Sequence, residues 1–208
     1  MRVLGVLLAG GLSRRMGGGD KGLMPLAGKP VMAHALERLR AQTRDVVINA
    51  NGDPNRFASF QAPVVPDTIK GFAGPLAGVL AGLRYASKLE EQPAYIATAA
   101  ADTPFFPENL VKSLLNQVED TKTIVLATSN ERRHPTFGLW PLSLADDLDN
   151  WLKNEENRKV LLWVDRHNWS TVDFQSTSIG AMTLDPFFNI NTPEDFATAQ
   201  SILEGATQ

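Results

Sequence analysis

Leu8-Ala9-Gly10-Gly11-Leu12-Ser13-Arg14-Arg15-Met16-Gly17-Gly18-Gly19-Asp20-Lys21-Gly22-Leu23 is the stretch from which the fold of this chain can be read. The apolar run from Arg2 to Leu8 leads into it, the pattern of a strand buried on both faces that feeds a loop. Glycines at positions 10, 11, 17, 18 and 19 can turn their amides toward a phosphate chain with no Cβ in the way, and Arg14, Arg15 and Lys21 add fixed positive charge. The expectation is a polyphosphate cradle. A P-loop is excluded because Gly-Lys-Ser/Thr is missing at the required spacing, and a dinucleotide fingerprint is excluded because no Gly-x-Gly-x-x-Gly opens a helix.

Outward from the loop, strand and helix signals alternate. Pro30 opens a helix with Val31, Ala35, Leu36 and Leu39 on one side. Asp45 to Asn49 and Ala62 to Pro66 follow as strands, and Pro75 begins a helix whose Leu76, Val79, Leu80 and Leu83 share a face. Ala94 to Ala101 reads as a central strand that stops at Asp102-Thr103-Pro104, with a helix after Pro107. Strands are expected at Thr123 to Ala127, Thr136 to Trp140 and Ser170 to Phe174, and helices at Leu142 to Leu152 and Arg158 to His167. Phe187 to Asn191 reads as a short extended piece before a last helix begun at Thr192-Pro193-Glu194, while Phe174 to Asp185 is uninformative. The sum is a Rossmann-like three-layer α/β/α fold, one domain over residues 1–208 with a mostly parallel sheet, whose ligands sit at the carboxyl ends of strands.

Composition narrows the function. With no cysteine and three histidines, thiolate chemistry is out and a zinc or haem enzyme is not expected. No apolar run approaches the roughly 18 residues that span a bilayer, and a cytoplasmic location without membrane partners is expected. A net charge of −3 argues against nucleic acid as a partner. Residues 1–44 nevertheless hold eight Lys/Arg against two acids, which puts the basic excess beside the glycine loop, where a small polyanion would bind.

Leu-Ala-Gly-Gly, Arg-Met-Gly, Asp-Lys-Gly-Leu and Leu-x-Gly-Lys-Pro, in that order, resemble the nucleotidyltransferase signature, and the Asp-Lys-Gly-Leu form resembles the molybdenum cofactor guanylyltransferases in particular. Asn49-Ala50-Asn51, Pro66-Asp67, Gly74 to Gly78, Ala101 to Pro104, His134-Pro135-Thr136 and Asn189 to Pro193 continue the likeness, which spans roughly residues 4 to 196. The resemblance implies transfer of GMP from GTP to molybdenum-molybdopterin with release of pyrophosphate. It also implies a molybdenum-insertion protein, an adaptor protein or client molybdoenzymes as protein partners, a choice left open by the residues. A relative using CTP or another phosphorylated acceptor, and a GTP-binding cofactor chaperone without catalysis, are the competing readings.

In-line attack on an α-phosphorus asks the protein to position two anions, neutralise charge and support the leaving pyrophosphate. Mg²⁺, with Mn²⁺ as the alternative, suits that task with one or two carboxylates. Asp102 matches the family's metal ligand, against a competing role as a helix N-cap. Lys21 would hold the phosphates, and Arg15 or Arg14 would face them. The resemblance places the Leu8, Ala9 and Gly10 backbone, Asn49 and Asp67 at the guanosine, with Asp67 facing the base or equally the ribose; the competing role for Asn49 and Asp67 is as turn residues. Gly78 is explained either by closeness to the sugar or by tight helix packing. Asn189 and Asn191 would present both amides on one side of a strand toward the pterin, unless Asn191 caps the last helix. Arg132, Arg133 and His134 are weaker candidates for its phosphate. The four Trp residues read as packing, and the small Thr98 to Ala101 run leaves open how the space beside Asp102 is filled.

Overall fold

The computed structural model describes residues 1–10, 21–69, 74–154, 158–179 and 182–205. Chain order begins with β1 (Val3–Leu8), a small hairpin of β2 (Pro25–Leu26) and β3 (Lys29–Pro30), α1 (Val31–Arg40), β4 (Asp45–Asn49), β5 (Val64–Val65) and α2 (Pro75–Ala86). It continues through β6 (Tyr95–Ala100), α3 (Leu110–Asn116), β7 (Ile124–Ser129), β8 (Arg132–Pro141), α4 (Ala145–Asn154) and α5 (Val160–Val164). The last elements are β9 (Trp169–Asp173), a hairpin of β10 (Thr177–Ile179) and β11 (Met182–Leu184), and α6 (Pro193–Gly205).

Seven strands form one sheet in the order β5-β4-β1-β6-β8-β7-β9. The pairs β1/β4, β1/β6, β4/β5 and β7/β9 are parallel, and β8 runs antiparallel to both β6 and β7. The mostly parallel sheet expected from the alternation is therefore present, with β8 as its reversed member. Side-chain alternation divides the core in two. Val3, Leu7, Tyr95, Ala97 and Ala99 join α1 and α3 on one face, while Leu4, Val6, Ile96, Ile124 and Leu126 join α2, α4 and α5 on the other. Each fully buried Leu, Ile or Val contributes roughly 1.5–3 kcal/mol over exposure. At Gly5 an added Cβ would lie 2.7 Å from Thr43 Oγ1 and 3.0 Å from Leu39 Cγ, so α1 sits hard against β1.

Small residues at the end of β6 belong to the same cluster as Phe106, Phe137 and Phe187. Phe137 lies 5.6 Å from Phe106 and 4.7 Å from Phe187, centroid to centroid, so aromatic rings supply the volume that Ala99, Ala100 and Ala101 leave. Trp140 and Trp163 are fully buried and stacked, and Trp140 Nε1 donates to Thr98 Oγ1 at 2.9 Å. Trp169 is exposed at the sheet edge beneath Arg133.

Several boundaries move. The expected Leu142 to Leu152 helix is a 3-10 turn over Leu142–Leu144 followed by α4, and the Arg158 to His167 helix shortens to α5. The Thr136 to Trp140 strand extends over Arg132–Pro141. Phe187 to Asn191 forms no strand, because its amides are taken by turn and cross-chain bonds: Phe188 N–H to Asp185 O and Ile190 N–H to Asp102 O. The alternation expected of it survives in burial alone, with Ile190 buried and Asn189 and Asn191 exposed.

The chain runs from β1 outward to β4 and β5, then returns to place β6 on the other side of β1. Strand order thus reverses between β1 and β6, the topological switch point at which open α/β sheets hold ligands. Gly10 follows one of these strands and Asp102 the other.

Candidate active site

On the β4 and β5 side of the switch point, three polar side chains close on one another. Asn49, 3% exposed at the end of β4, spends both amide protons, donating to Val65 O at 3.1 Å and Asp67 Oδ1 at 2.9 Å. Both of those oxygens only accept, so the network fixes which way the amide faces. Asn51 donates to Asp67 Oδ2 at 2.7 Å and accepts the Asp67 N–H at 2.9 Å. Asn49 Oδ1 is left pointing at Gly10 and Gly78. A Cβ at Gly10 would lie 3.6 Å from it, and one at Gly78 would overlap it and sit 2.7 Å from Leu8 Cδ2. The bare backbone at Gly78 is therefore required by packing against Asn49 and Leu8. Leu8 and Ala9 are half-buried beside it, and Ala9 N–H donates to Asn49 O at 2.9 Å.

On the β6 side lies a second group. Lys21 sits on a short 3-10 turn (Lys21–Leu23) whose Gly22 is buried against Met32 of α1. Its Nζ donates to Asn191 Oδ1 at 3.3 Å, across 170 residues of chain. Asp102 is half-buried one turn beyond β6. Burial pushes its carboxyl up, and its own backbone N–H, Lys21, the Thr103 hydroxyl and the Asn189 amide offset this only in part. A carboxylate so placed, with an ammonium and an amide beside it, has the chemistry to hold a divalent cation with oxygen ligands. Among the described residues no three of His, Asp and Glu gather into a closed metal cage, so phosphates and water would complete the shell.

The last helix resolves the competition over Asn191. Thr192 Oγ1 accepts the Asp195 N–H at 3.1 Å, and Asp195 Oδ2 accepts the N–H groups of Thr192 and Asn191 at 2.9 and 2.8 Å. This reciprocal cap occupies Thr192 and Asp195 and leaves the Asn191 side chain to Lys21. Burial would raise the Asp195 carboxyl, but those N–H groups and Lys21 hold it below the usual carboxylate range.

Of the residues expected at the site, Leu8, Ala9, Gly10, Asn49, Asp67 and Gly78 assemble on one side, and Lys21, Asp102, Asn189 and Asn191 on the other. Arg14, Arg15 and Gly19 lie outside the described residues. Arg133 turns away, bonding Asp165 Oδ1 at 2.9 Å and covering Trp169. Residues 5–168 match the family described as the MobA-like NTP transferase domain. The chain belongs to that family.

Among relatives of this MobA-like transferase is the molybdenum cofactor guanylyltransferase of Mesorhizobium japonicum, 46% identical over 206 residues, 99% of this chain and 98% of that one. The enzyme of the same name from Rhizobium meliloti is 43% identical over 95% of this chain and 90% of its own. In fold the chain resembles molybdopterin-guanine dinucleotide biosynthesis protein A of Archaeoglobus fulgidus, with a TM-score of 0.71 and 22% identity over 97% of this chain and 99% of that one. The MobA-like transferase is a nucleotidyltransferase enzyme. Two residues that bond to those expected at the site were not singled out in the sequence, Asn51 and Asp195. The Thr-x-x-acid spacing at 192–195 was a signal for the second, and Asn51 lay within the Asn49-Ala50-Asn51 segment of the family likeness.

Proposed function

We propose that this chain transfers GMP from GTP to the terminal phosphate of molybdenum-molybdopterin, releasing pyrophosphate. The observation that supports this most is the pairing of Lys21 with Asn191 and of Asp102 with Asn189 at the switch point. It joins the phosphate-binding end of the chain to the segment that the resemblance assigns to the acceptor.

Asp67 and Asn49 take the guanosine. The Asp67 carboxylate, already held by two amides, accepts from guanine N1–H and the 2-amino group, and Asn49 Oδ1 accepts from the nucleoside between Gly10 and Gly78. The backbone of Leu8, Ala9 and Gly10 lines the same side, and Lys21 and Arg15 hold the phosphates. Asn189 and Asn191 orient the pterin. A terminal phosphate oxygen then attacks the α-phosphorus in line; that P–O bond forms as the α–β bridging bond breaks, and the electron pair leaves on pyrophosphate. Lys21 stabilises the leaving charge. Asp102 would hold Mg²⁺, or Mn²⁺ in its place, which supplies charge neutralisation on the phosphates. No protein base is assigned, because an ionised phosphate is the nucleophile.

We further assign the whole chain to one domain and place it in the cytoplasm; no helix among the described residues is long and apolar enough to cross a membrane. The test is thermal unfolding with Mg²⁺ and, separately, GTP, CTP, ATP and UTP. A ligand at about 100 times its Kd adds roughly 2.7 kcal/mol, or about 5–10 °C at this size. A shift with GTP alone supports guanylyl transfer; a preference for CTP moves the assignment to a cytidylyl enzyme.

A further inference from the structure

His134-Pro135-Thr136 is a segment of the family likeness that the reading above leaves without a task, and it lies where the sheet is least regular. Between β7 and β8 the register jumps from Leu126↔Gly138 to Ala127↔His134, so Pro135, Thr136 and Phe137 are passed over on β8. A proline inside a strand fits such a bulge because its missing N–H would not have been paired. The jump brings the His134 ring diagonal to Ser129 on one side of the hairpin. The tip is two residues, Asn130 and Glu131, both at positive φ (48° and 62°). Asn tolerates that conformation, whereas Glu is disfavoured there, which marks the tip as held in place.

Three side chains then close a network. Ser129, fully buried, has its Oγ 2.7 Å from His134 Nε2 and 2.9 and 3.0 Å from the two carboxylate oxygens of Asp185. A hydroxyl has one proton. If it went to His134, the hydroxyl oxygen would face the carboxylate with nothing between them, so it goes to Asp185, and His134 Nε2–H donates to Ser129. Asn130 Nδ2 and the Phe187 N–H complete the donors to Asp185, at 2.9 and 2.8 Å. Phe187 is also clasped by the His134 ring at 4.4 Å and by Phe137 and Phe174.

Asp185 is the first residue of the segment that delivers the two asparagines. Its carbonyl accepts the Phe188 N–H at 3.0 Å, and two residues later Ile190 N–H bonds Asp102 O at 2.9 Å. Asn189 lies between these two anchors and Asn191 just past them. A part-buried polar network of this kind adds little net stability over apolar packing of the same shape; what it can add is a defined position for the chain it holds.

We propose that Ser129, His134 and Asp185 are positioning residues that set Asn189 and Asn191 against Asp102 and Lys21, and so set the affinity for the acceptor. This rests on the reading of those four residues as the transfer site. None of the three touches the reacting atoms.

The test is steady-state pyrophosphate release by the full-length protein, with KM measured for GTP and for molybdenum-molybdopterin separately. Asp185→Ala should lower kcat/KM for the acceptor between about 10- and 100-fold, the cost of a displacement near 1 Å, with the acceptor KM raised and the GTP KM unchanged. Asp185→Asn keeps the Oδ1 that receives Phe187 N–H and Ser129 O–H, and should recover most of the loss. His134→Phe retains the ring against Phe187 but not the Nε2–H, so it carries the test should Asp185→Ala fail to fold. A purely structural role would lower the active fraction, and with it kcat, while leaving both KM values in place; that result overturns the proposal. Lys21→Ala, assayed alongside, separates the two claims. If it is inactive while the Asp185 and His134 variants keep the normal acceptor KM, only the positioning role falls; if it turns over normally, the site reading and the positioning role fall together.

Discussion

The two halves of the carboxyl edge are built differently. Around Asp67 the contacts span 16 to 18 residues, and both carboxylate oxygens receive a side-chain amide. Beside Asp102 the Lys21–Asn191 bond alone spans 170 residues, and burial of Asp102 still outweighs the groups that favour its charge. In the first half the polar side chains already pair with one another, which would suit a recognition surface. In the second, among the described residues, the burial of Asp102 is offset only in part, which would suit a place where phosphates and a cation come and go. Recognition can be completed in advance, but a transfer site must keep part of its electrostatics for the ligand.

That contrast can be broken most sharply by removing charge from the second half. Lys21→Ala and Asp102→Ala should each cut turnover by at least about 100-fold, the scale of losing one transition-state stabiliser, with far smaller effects on the GTP KM; near-normal kcat in either variant would remove that residue from the chemistry. In the first half the order reverses. Gly78→Ala forces a Cβ onto Asn49 and Leu8, and should cost about 1–3 kcal/mol of stability by overpacking and raise the GTP KM more than it lowers kcat. A crystal structure or melt showing Asn49 undisturbed would argue against the packing role. Asn51→Ala removes one of two amides from Asp67 and should weaken GTP binding by roughly tenfold or less, the worth of about 1–1.5 kcal/mol for one hydrogen bond; an unchanged GTP KM would leave Asn49 as the sole determinant of how Asp67 is held.

The smallest effect concerns pH and neither half directly. Burial keeps His34 and His134 below the ordinary histidine value, against the Leu26 carbonyl and Asp185 respectively. As pH falls below about 6.5 the unfolded chain takes up protons that the folded chain resists, so stability is complete above that value and declines below it. The melting temperature should be lower at pH 5.5 than at 7.5, and the slope should flatten in a His34→Gln, His134→Gln double variant.

The same contrast accounts for what the sequence disclosed. β1, β4 and β6 were legible because strands buried on both faces are continuous apolar runs, and the polar residues that end them, Asn49 and Asp102, stand out against that background. Asp67 was singled out by the family resemblance, in the Pro66-Asp67 segment. The Phe187 to Asn191 segment was misread as a strand because its alternation of apolar and polar residues has the period of one; a turn bond to Asp185 and a long-range bond to Asp102, the latter invisible in sequence, set its path instead. Gly78 was ambiguous because only the three-dimensional neighbour, Asn49, explains it. The hairpin over Thr177 to Leu184 gave no signal, being short and weakly patterned.

The central claim is guanylyl transfer at the Lys21 and Asp102 cluster. Its most direct measurement is pyrophosphate released from GTP, in the presence of Mg²⁺ and molybdenum-molybdopterin, by the unaltered protein and by Asp102→Ala in parallel. Turnover that requires both GTP and the acceptor, and that collapses in the variant, is the predicted result. GTP bound in stoichiometric amount with no pyrophosphate released, or equal turnover by Asp102→Ala, would contradict it.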